Sequence, residues 1–98
     1  MENMNMRLLM VYKIATTKRF DKDYAKLPPS DRKLAKNVIN RLANDEILEQ
    51  KYKDHPLKGE YAGFRDCHVK SDLVLIYSKN KDALLLTAFR INSHSELF

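Results

Sequence analysis

The residues of this chain best suited to chemistry are its three histidines and one of its aspartates. They are His55, His68, Asp72 and His94. An imidazole titrates near neutral pH and can give or accept a proton, and a carboxylate can act as a base or fix one tautomer of an imidazole. The set predicts acid–base catalysis if the C-terminal stretch, which carries His94, folds back beside the other three. A lone histidine is more often a surface residue, so the prediction depends on that convergence.

Histidine and cysteine together raise a second possibility, a zinc site. Cys67 and His68 are adjacent in a segment with the pattern of a β-strand, so their side chains are expected on opposite faces of a sheet. They cannot then bind the same ion. Cys67 shares its expected face with Val69, and a thiol buried among apolar side chains is unreactive. We therefore expect no metal or other cofactor, and a core position for Cys67.

The chain as a whole has the composition of one small globular domain. Of its 98 residues, 44% are hydrophobic and 32% are charged, and the net charge is +5. We expect a single domain over 1–98, with 1–7 as a flexible N-terminal extension. The basic charge favours a polyanionic partner but is also common on solvated surfaces. A single cysteine, no leader sequence and no apolar run of about 20 residues predict a cytoplasmic protein without a membrane span.

The N-terminal half is predicted to form a strand and a helix hairpin. Residues Leu8–Ala15 have the apolar, β-branched composition of a strand. Thr17 or the threonine before it can cap a first helix, which the pair Pro28–Pro29 ends. Ser30 can cap a second helix, which is expected to run to about Asn44. The apolar positions recur at helical spacing, and they are Phe20, Tyr24 and Leu27, then Leu34, Val38, Ile39 and Leu42.

The C-terminal half is predicted to form strands joined by tight turns. The expected strands are 64–70, 73–77 and 84–91, with reversals at 70–72 and 79–82. The order of elements predicts an α+β fold, in which the N-terminal strand and helix hairpin pack on one face of a four-stranded antiparallel sheet. The other face is expected to stay partly free. A free sheet face that carries polar side chains is suited to binding.

Three short motifs carry a resemblance to a known family. They are DHPLKG, RDCHV and HSELF, in that order along the chain. With them, the sequence closely resembles the YafQ branch of the RelE-type bacterial toxins, which are small ribosome-dependent mRNA endonucleases of toxin–antitoxin systems. The resemblance implies a microbial RNase fold that cleaves mRNA in the ribosomal A site without a metal ion. The implied products are a 2′,3′-cyclic phosphate and a 5′-hydroxyl.

The functional residues of that family match five positions of this sequence, which are His55, His68, Asp72, His94 and Phe98. From the chemistry of this set we expect His94 as the general acid and Asp72, either alone or with His68, as the general base. We expect that His55 positions or stabilises the phosphate, although these roles can be exchanged.

Two further residues are expected to contact the RNA. Phe98 is expected to stack on a nucleobase, or otherwise to dock on the core with Leu97. Arg65 is a second candidate for contact with phosphate. Tyr61 and Leu73 stand where relatives can carry tryptophan, which bears on base stacking and codon preference.

The resemblance also implies partners, and it leaves alternatives open. An acidic, partly disordered antitoxin is expected to wrap the toxin, and operator DNA is expected to be contacted only through that complex. The ribosome and its mRNA are the expected targets. The alternatives are a non-enzymatic toxin that resembles the ParE type and binds DNA gyrase, and a basic RNA-binding module with structural histidines.

Overall fold

The computed structural model describes residues 11–98. In chain order the elements are β1 Lys13–Thr16, α1 Lys18–Ala25, α2 Pro29–Ala43, β2 His55–Pro56, β3 Arg65–Lys70, β4 Leu73–Asn80, β5 Leu85–Asn92 and α3 His94–Leu97. Short 3-10 turns at Gln50–Tyr52 and Gly59–Tyr61 flank β2. The expected extension 1–7 and the first three residues of the predicted strand 8–15 lie outside the described residues. No helix in the described part of the chain is both long enough and apolar enough to cross a membrane.

The strands form one sheet in the order β1-β5-β4-β3-β2. The three long strands are antiparallel neighbours, as their tight connections predict. The sheet differs from the expected four-stranded antiparallel one in two ways. First, β1 pairs in parallel with β5, from which two helices and three strands separate it in the chain, so no tight turn requires the two strands to be antiparallel. Second, His55–Pro56 adds a fifth strand at the far edge of the sheet. Proline has no N–H to donate, and an edge strand tolerates this because one of its sides has no partner strand.

Both main helices begin at positions that local chemistry favours. The Thr17 hydroxyl oxygen accepts a hydrogen bond from Phe20 N at 3.0 Å, so Thr17 caps α1 as predicted. The same hydroxyl donates to the Phe89 carbonyl oxygen at 2.7 Å and fixes the start of α1 to β5. The prediction that Ser30 caps the second helix is wrong, because α2 already begins at Pro29. The fixed φ of proline suits the first position of a helix.

The main hydrophobic core lies between the two helices and one face of the sheet. Leu42 of α2 and Tyr77 of β4 are among its largest fully buried side chains. Burying a leucine of this kind contributes about 2 kcal/mol to folding. Cys67 lies in the same core, as predicted, and burial raises the pKa of its thiol. The cysteine is therefore a packing residue.

The opposite side of the sheet, which we call the open face, carries a second and smaller cluster. Val74 and Ile76 of β4 are buried there under Leu97 of α3. The side chains packed around them are Leu57, Tyr61, Phe64 and Phe89. The C-terminal helix therefore lies on the side of the sheet away from α1 and α2.

Candidate active site

Two rows of side chains cross the open face at neighbouring positions. Residues directly opposite each other in paired strands point to the same face. One row consists of His55, Asp66, Ile76 and Arg90. The next row consists of His68, Val74 and Asn92. Because Asp66 and His68 are two residues apart on β3, two of the histidines and a carboxylate lie on adjacent rows of one face.

His55 is held through its Nδ1 atom. This atom lies 2.7 Å from the Lys53 carbonyl oxygen and 3.2 Å from Oδ1 of Asp66. Lys53 ends a 3-10 turn in the left-handed conformation, with φ of 51°. Both neighbours of Nδ1 are acceptors, so in the neutral ring the hydrogen sits on Nδ1 and Nε2 keeps a free lone pair. The side chain is 52% exposed, which leaves Nε2 accessible to a substrate.

The residue before His55 is fixed on the other side of the sheet. Oδ1 of Asp54 accepts hydrogen bonds from the Tyr77 hydroxyl at 2.5 Å and from Arg65 Nε at 3.2 Å. Arg65 Nε also lies 3.3 Å from the Tyr77 hydroxyl oxygen. This network ties the segment that carries His55 to β3 and β4. It also places the Arg65 guanidinium on the helix side of the sheet, away from the histidines, so Arg65 does not join the cluster for which it was predicted.

The C-terminal tail folds back over the open face. Ser93 caps α3, since its hydroxyl oxygen accepts a hydrogen bond from Glu96 N at 3.4 Å. Leu97 is only 6% exposed and anchors the helix in the small cluster of the open face. His94, the first residue of α3, is therefore carried onto the same face as His55 and His68.

An aromatic contact chain extends from the tail. The His94 and Phe98 rings have their centroids 4.9 Å apart, and Phe98 meets Tyr61 edge-on at 5.7 Å. Phe98 remains 50% exposed, so it is not docked into the core beside Leu97. Its ring is available to stack on a base.

Asp66 is a buried carboxylate on the open face, near all three histidines. It is 4% exposed, and its Oδ1 accepts no hydrogen bond from residues 11–98, because the Nδ1 hydrogen of His55 is directed at the Lys53 carbonyl. Burial raises the pKa of Asp66, while the charges of His55, His68 and His94 act to lower it. All three imidazoles are therefore close enough to one carboxylate to influence its charge.

Asp72 occupies a different position from the one its predicted role suggests. It is exposed, in the turn that joins β3 and β4. Among the ion pairs of residues 11–98, the carboxylate beside an imidazole is that of Asp66. The turn adjoins the row that contains His68, since Lys70 and Leu73 close the hairpin next to it. A role for Asp72 as base stays a prediction.

Two residues of this face, Asp66 and Arg90, were not singled out from the sequence. Arg90 Nε lies 2.7 Å from Oδ2 of Asp23, and its Nη2 lies 3.2 Å from Oδ1. The alternation of β3 could have indicated Asp66, because it shares a face with His68. No local pattern could have indicated Arg90, because Asp23 is 67 residues away in the chain.

The donor set of this face does not form an evident metal centre. Within residues 11–98, no group of three or more histidine, cysteine, aspartate or glutamate side chains is arranged to hold a metal ion. Cys67 lies in the main core, whereas His68 is on the open face. The arrangement brings together groups that transfer protons and an arginine that can offset negative charge.

Comparison with known proteins points to the family that the sequence motifs suggest. Residues 12–98 match the family model described as a bacterial toxin of type II toxin-antitoxin system, YafQ. The mRNA interferase toxin YafQ of Escherichia coli strain K12 is 42% identical over 69 residues, which cover 69% of this chain and 73% of that protein.

Solved structures agree with this match. A metal-bound toxin from Helicobacter pylori is 43% identical, with a TM-score of 0.76 over 89% of this chain and 99% of that one. A chain of the E. coli DinJ–YafQ complex is 32% identical, with a TM-score of 0.75 over 89% of this chain and 98% of that one. These likenesses confirm the predicted α+β fold of the RelE type. The chain belongs to the YafQ family of bacterial toxins of type II toxin–antitoxin systems.

Proposed function

We propose that this toxin is an endoribonuclease that cuts mRNA on the ribosome and so stops translation. The name mRNA interferase, carried by a relative, supports the class of reaction. The observation on which the proposal rests in this chain is the grouping of three imidazoles around Asp66 on an accessible sheet face. A protein that only binds its target has no need of such a set of titrating groups.

The reaction requires two proton transfers. A base takes the proton of the ribose 2′-hydroxyl, and the 2′-oxygen then forms a bond to phosphorus. The bond from phosphorus to the 5′-oxygen breaks, and an acid protonates that oxygen. The products are a 2′,3′-cyclic phosphate and a 5′-hydroxyl, with no external oxidant, reductant or nucleophile.

The geometry supports particular roles for the histidines. His55 is suited to act as the base, since its Nδ1 is occupied by acceptors and its Nε2 is free. His68 lies in the adjacent row and can share this role or contact the phosphate. His94 approaches from the tail and is suited to act as the acid. Asp72 stays a candidate base at the rim of the face.

The remaining residues of the face are suited to holding RNA. Arg90 lies in the row of Asp66 and His55, and although Asp23 pairs with its guanidinium, the remaining N–H groups can donate to the phosphate. Phe98 can stack on a base next to the cut, with Tyr61 behind it. The net charge of +5 favours approach to the polyanionic ribosome.

The partner that restrains this activity is proposed to be an antitoxin. A close structural relative is present in a complex with DinJ. An acidic antitoxin would complement the basic surface and would keep the open face from RNA until it is removed.

The proposal is tested with purified toxin and ribosomes programmed with a defined mRNA. We expect one cut in the A-site codon and an upstream fragment that ends in a cyclic phosphate, as determined by mass spectrometry. We expect the same cut in the presence of phenanthroline, which removes transition metals and spares the magnesium that ribosomes need. Intact mRNA in this assay, together with loss of supercoiling in a separate assay with DNA gyrase, would instead indicate a toxin of the ParE type. RNA binding without a cut would indicate a binding module.

A further inference from the structure

Asp66 has a property that the proposed reaction does not by itself explain. It is a buried carboxylate whose Oδ1 lacks a hydrogen-bond partner in the described part of the chain, in a row next to the fully buried Ile76. Burial of an unpartnered polar group is unfavourable, so each such group in a native protein calls for an explanation, and a role in catalysis is one of them. The atom that faces Oδ1 at 3.2 Å is Nδ1 of His55.

We infer that Asp66 is a positioning residue for His55. Its Oδ1 lies 3.2 Å from Nδ1, whose hydrogen is directed at the Lys53 carbonyl, and its negative charge favours both a hydrogen on Nδ1 and the imidazolium that forms when Nε2 accepts a proton. A base that is oriented by a third group in this way is a recurring arrangement in enzymes that activate a hydroxyl. The inference rests on the proposed function, because it assigns His55 as the base.

The sheet explains why this contact matters. His55 lies on a strand of two residues at the edge of the sheet, and its side chain is half exposed. Asp66 lies opposite it on β3, which is paired on both sides and therefore well fixed. The well-fixed strand β3 thus places the Asp66 carboxylate beside the His55 ring, which stands on the short edge strand β2. Such support of a site by packed neighbours is needed to keep a reactive group in position.

Several other charged groups belong to the environment of this pair. His68 of β3 and His94 of α3 lie on the same face, and Asp54, which precedes β2, acts from the other side of the sheet. Arg90 of β5 lies further along the row, paired with Asp23 and near Glu96 of α3. All three imidazoles act on the charge of Asp66, and among the described residues His55 is the one within ion-pair distance of it. Loss of its charge would therefore make every imidazolium of the face less favourable, not only that of His55.

A purely structural role for Asp66 predicts a different outcome. Because burial raises the pKa of Asp66, its ionised form lowers the stability of the fold, and this cost appears as the pH rises through the raised pKa. Asp66→Asn removes the cost. We expect the variant to be at least as stable as the wild type at neutral pH but less active, whereas a structural role predicts loss of both.

The first test measures cleavage on programmed ribosomes from about pH 6 to about pH 9. The variants are Asp66→Asn and, as a matched control, Asp45→Asn, which alters an exposed carboxylate paired with Lys79. We expect the optimum of Asp66→Asn to move about one unit to lower pH, because both the base and the acid become harder to protonate. At about pH 9, such a shift lowers the cleavage rate of Asp66→Asn about tenfold relative to the wild type. If Asp66→Asn lowers the cleavage rate by the same factor at every pH, the inference is overturned. The control Asp45→Asn should match the wild type at every pH.

A second test uses nitrogen-15 spectra of the histidine rings in the free toxin and needs no cleavage. We expect the Nδ1–H tautomer for His55 in the wild type, and exchange between tautomers in Asp66→Asn. An Nε2–H tautomer in the wild type, or identical spectra for the two proteins, would rule out the positioning role. The toxin could give the expected spectra and yet cut no RNA. That combination would refute the proposed function and leave the positioning role of Asp66 standing.

Discussion

Adjacent residues in the motifs of this toxin point to opposite faces of the sheet and have different roles. Asp54 and Arg65 meet the Tyr77 hydroxyl on the helix side, whereas His55 and Asp66 meet on the open face. The first group of contacts fixes the short strand β2, and the second presents the imidazole. Asp54 and Arg65, although adjacent to His55 and Asp66 in the chain, are therefore assigned to holding the backbone of the segment in place.

Tyr77→Phe tests this division of roles. It removes the hydroxyl that donates to Asp54 and leaves the ring in the core. We expect a loss of about 1 to 2 kcal/mol in the free energy of unfolding in urea, together with weaker cleavage, because the segment that carries His55 loosens. Tyr12→Phe is the matched control, since Tyr12 is equally buried and its hydroxyl makes no hydrogen bond to the described residues. Equal stability of Tyr77→Phe and the wild type would contradict the role given to the network.

At the scale of secondary-structure elements, residue patterns locate helices and strands better than they identify their neighbours. The apolar spacing of α1 and its Thr17 cap are local and were predicted. The parallel pairing of β1 with β5 was not, since it depends on residues about 70 positions apart in the chain. The same holds for Asp23, which accepts hydrogen bonds from Arg90 and from Ile91 N and so joins α1 to β5.

Asp23→Asn tests the junction of α1 and β5. Although burial opposes it, the hydrogen bonds from Arg90 and Ile91 N lower the pKa of Asp23. A lowered pKa adds stability above the ordinary range near 4, and this stability is lost as the pH falls through the native value. We expect Asp23→Asn to cost about 2 kcal/mol at neutral pH and less at about pH 3, in urea unfolding. Asp21→Asn, on the exposed side of α1, should change little, and equal effects of the two would contradict this assignment.

At the scale of the whole molecule, the two faces of the sheet carry different kinds of side chain. Its helix side carries the main core, while the open face carries a small cluster under α3 and a group of polar side chains. The motifs predicted the family, the fold class and the three histidines, because these depend on residue type and local spacing. The buried state of Asp66 depends on packing across strands, which the sequence does not display, whereas the alternation of β3 already places Arg65 on the face opposite His68.

The most direct measurement is single-turnover cleavage of mRNA on programmed ribosomes by His94→Ala. His94 is exposed at the start of α3, so its loss should leave the melting temperature unchanged. Ser95→Ala, the next position of the same helix, is the control and should cut at the wild-type rate. If the tail brings a proton donor to the open face, His94→Ala loses roughly 100-fold or more in rate. Cleavage by His94→Ala at the wild-type rate would contradict the assembly of one catalytic site from the three histidines.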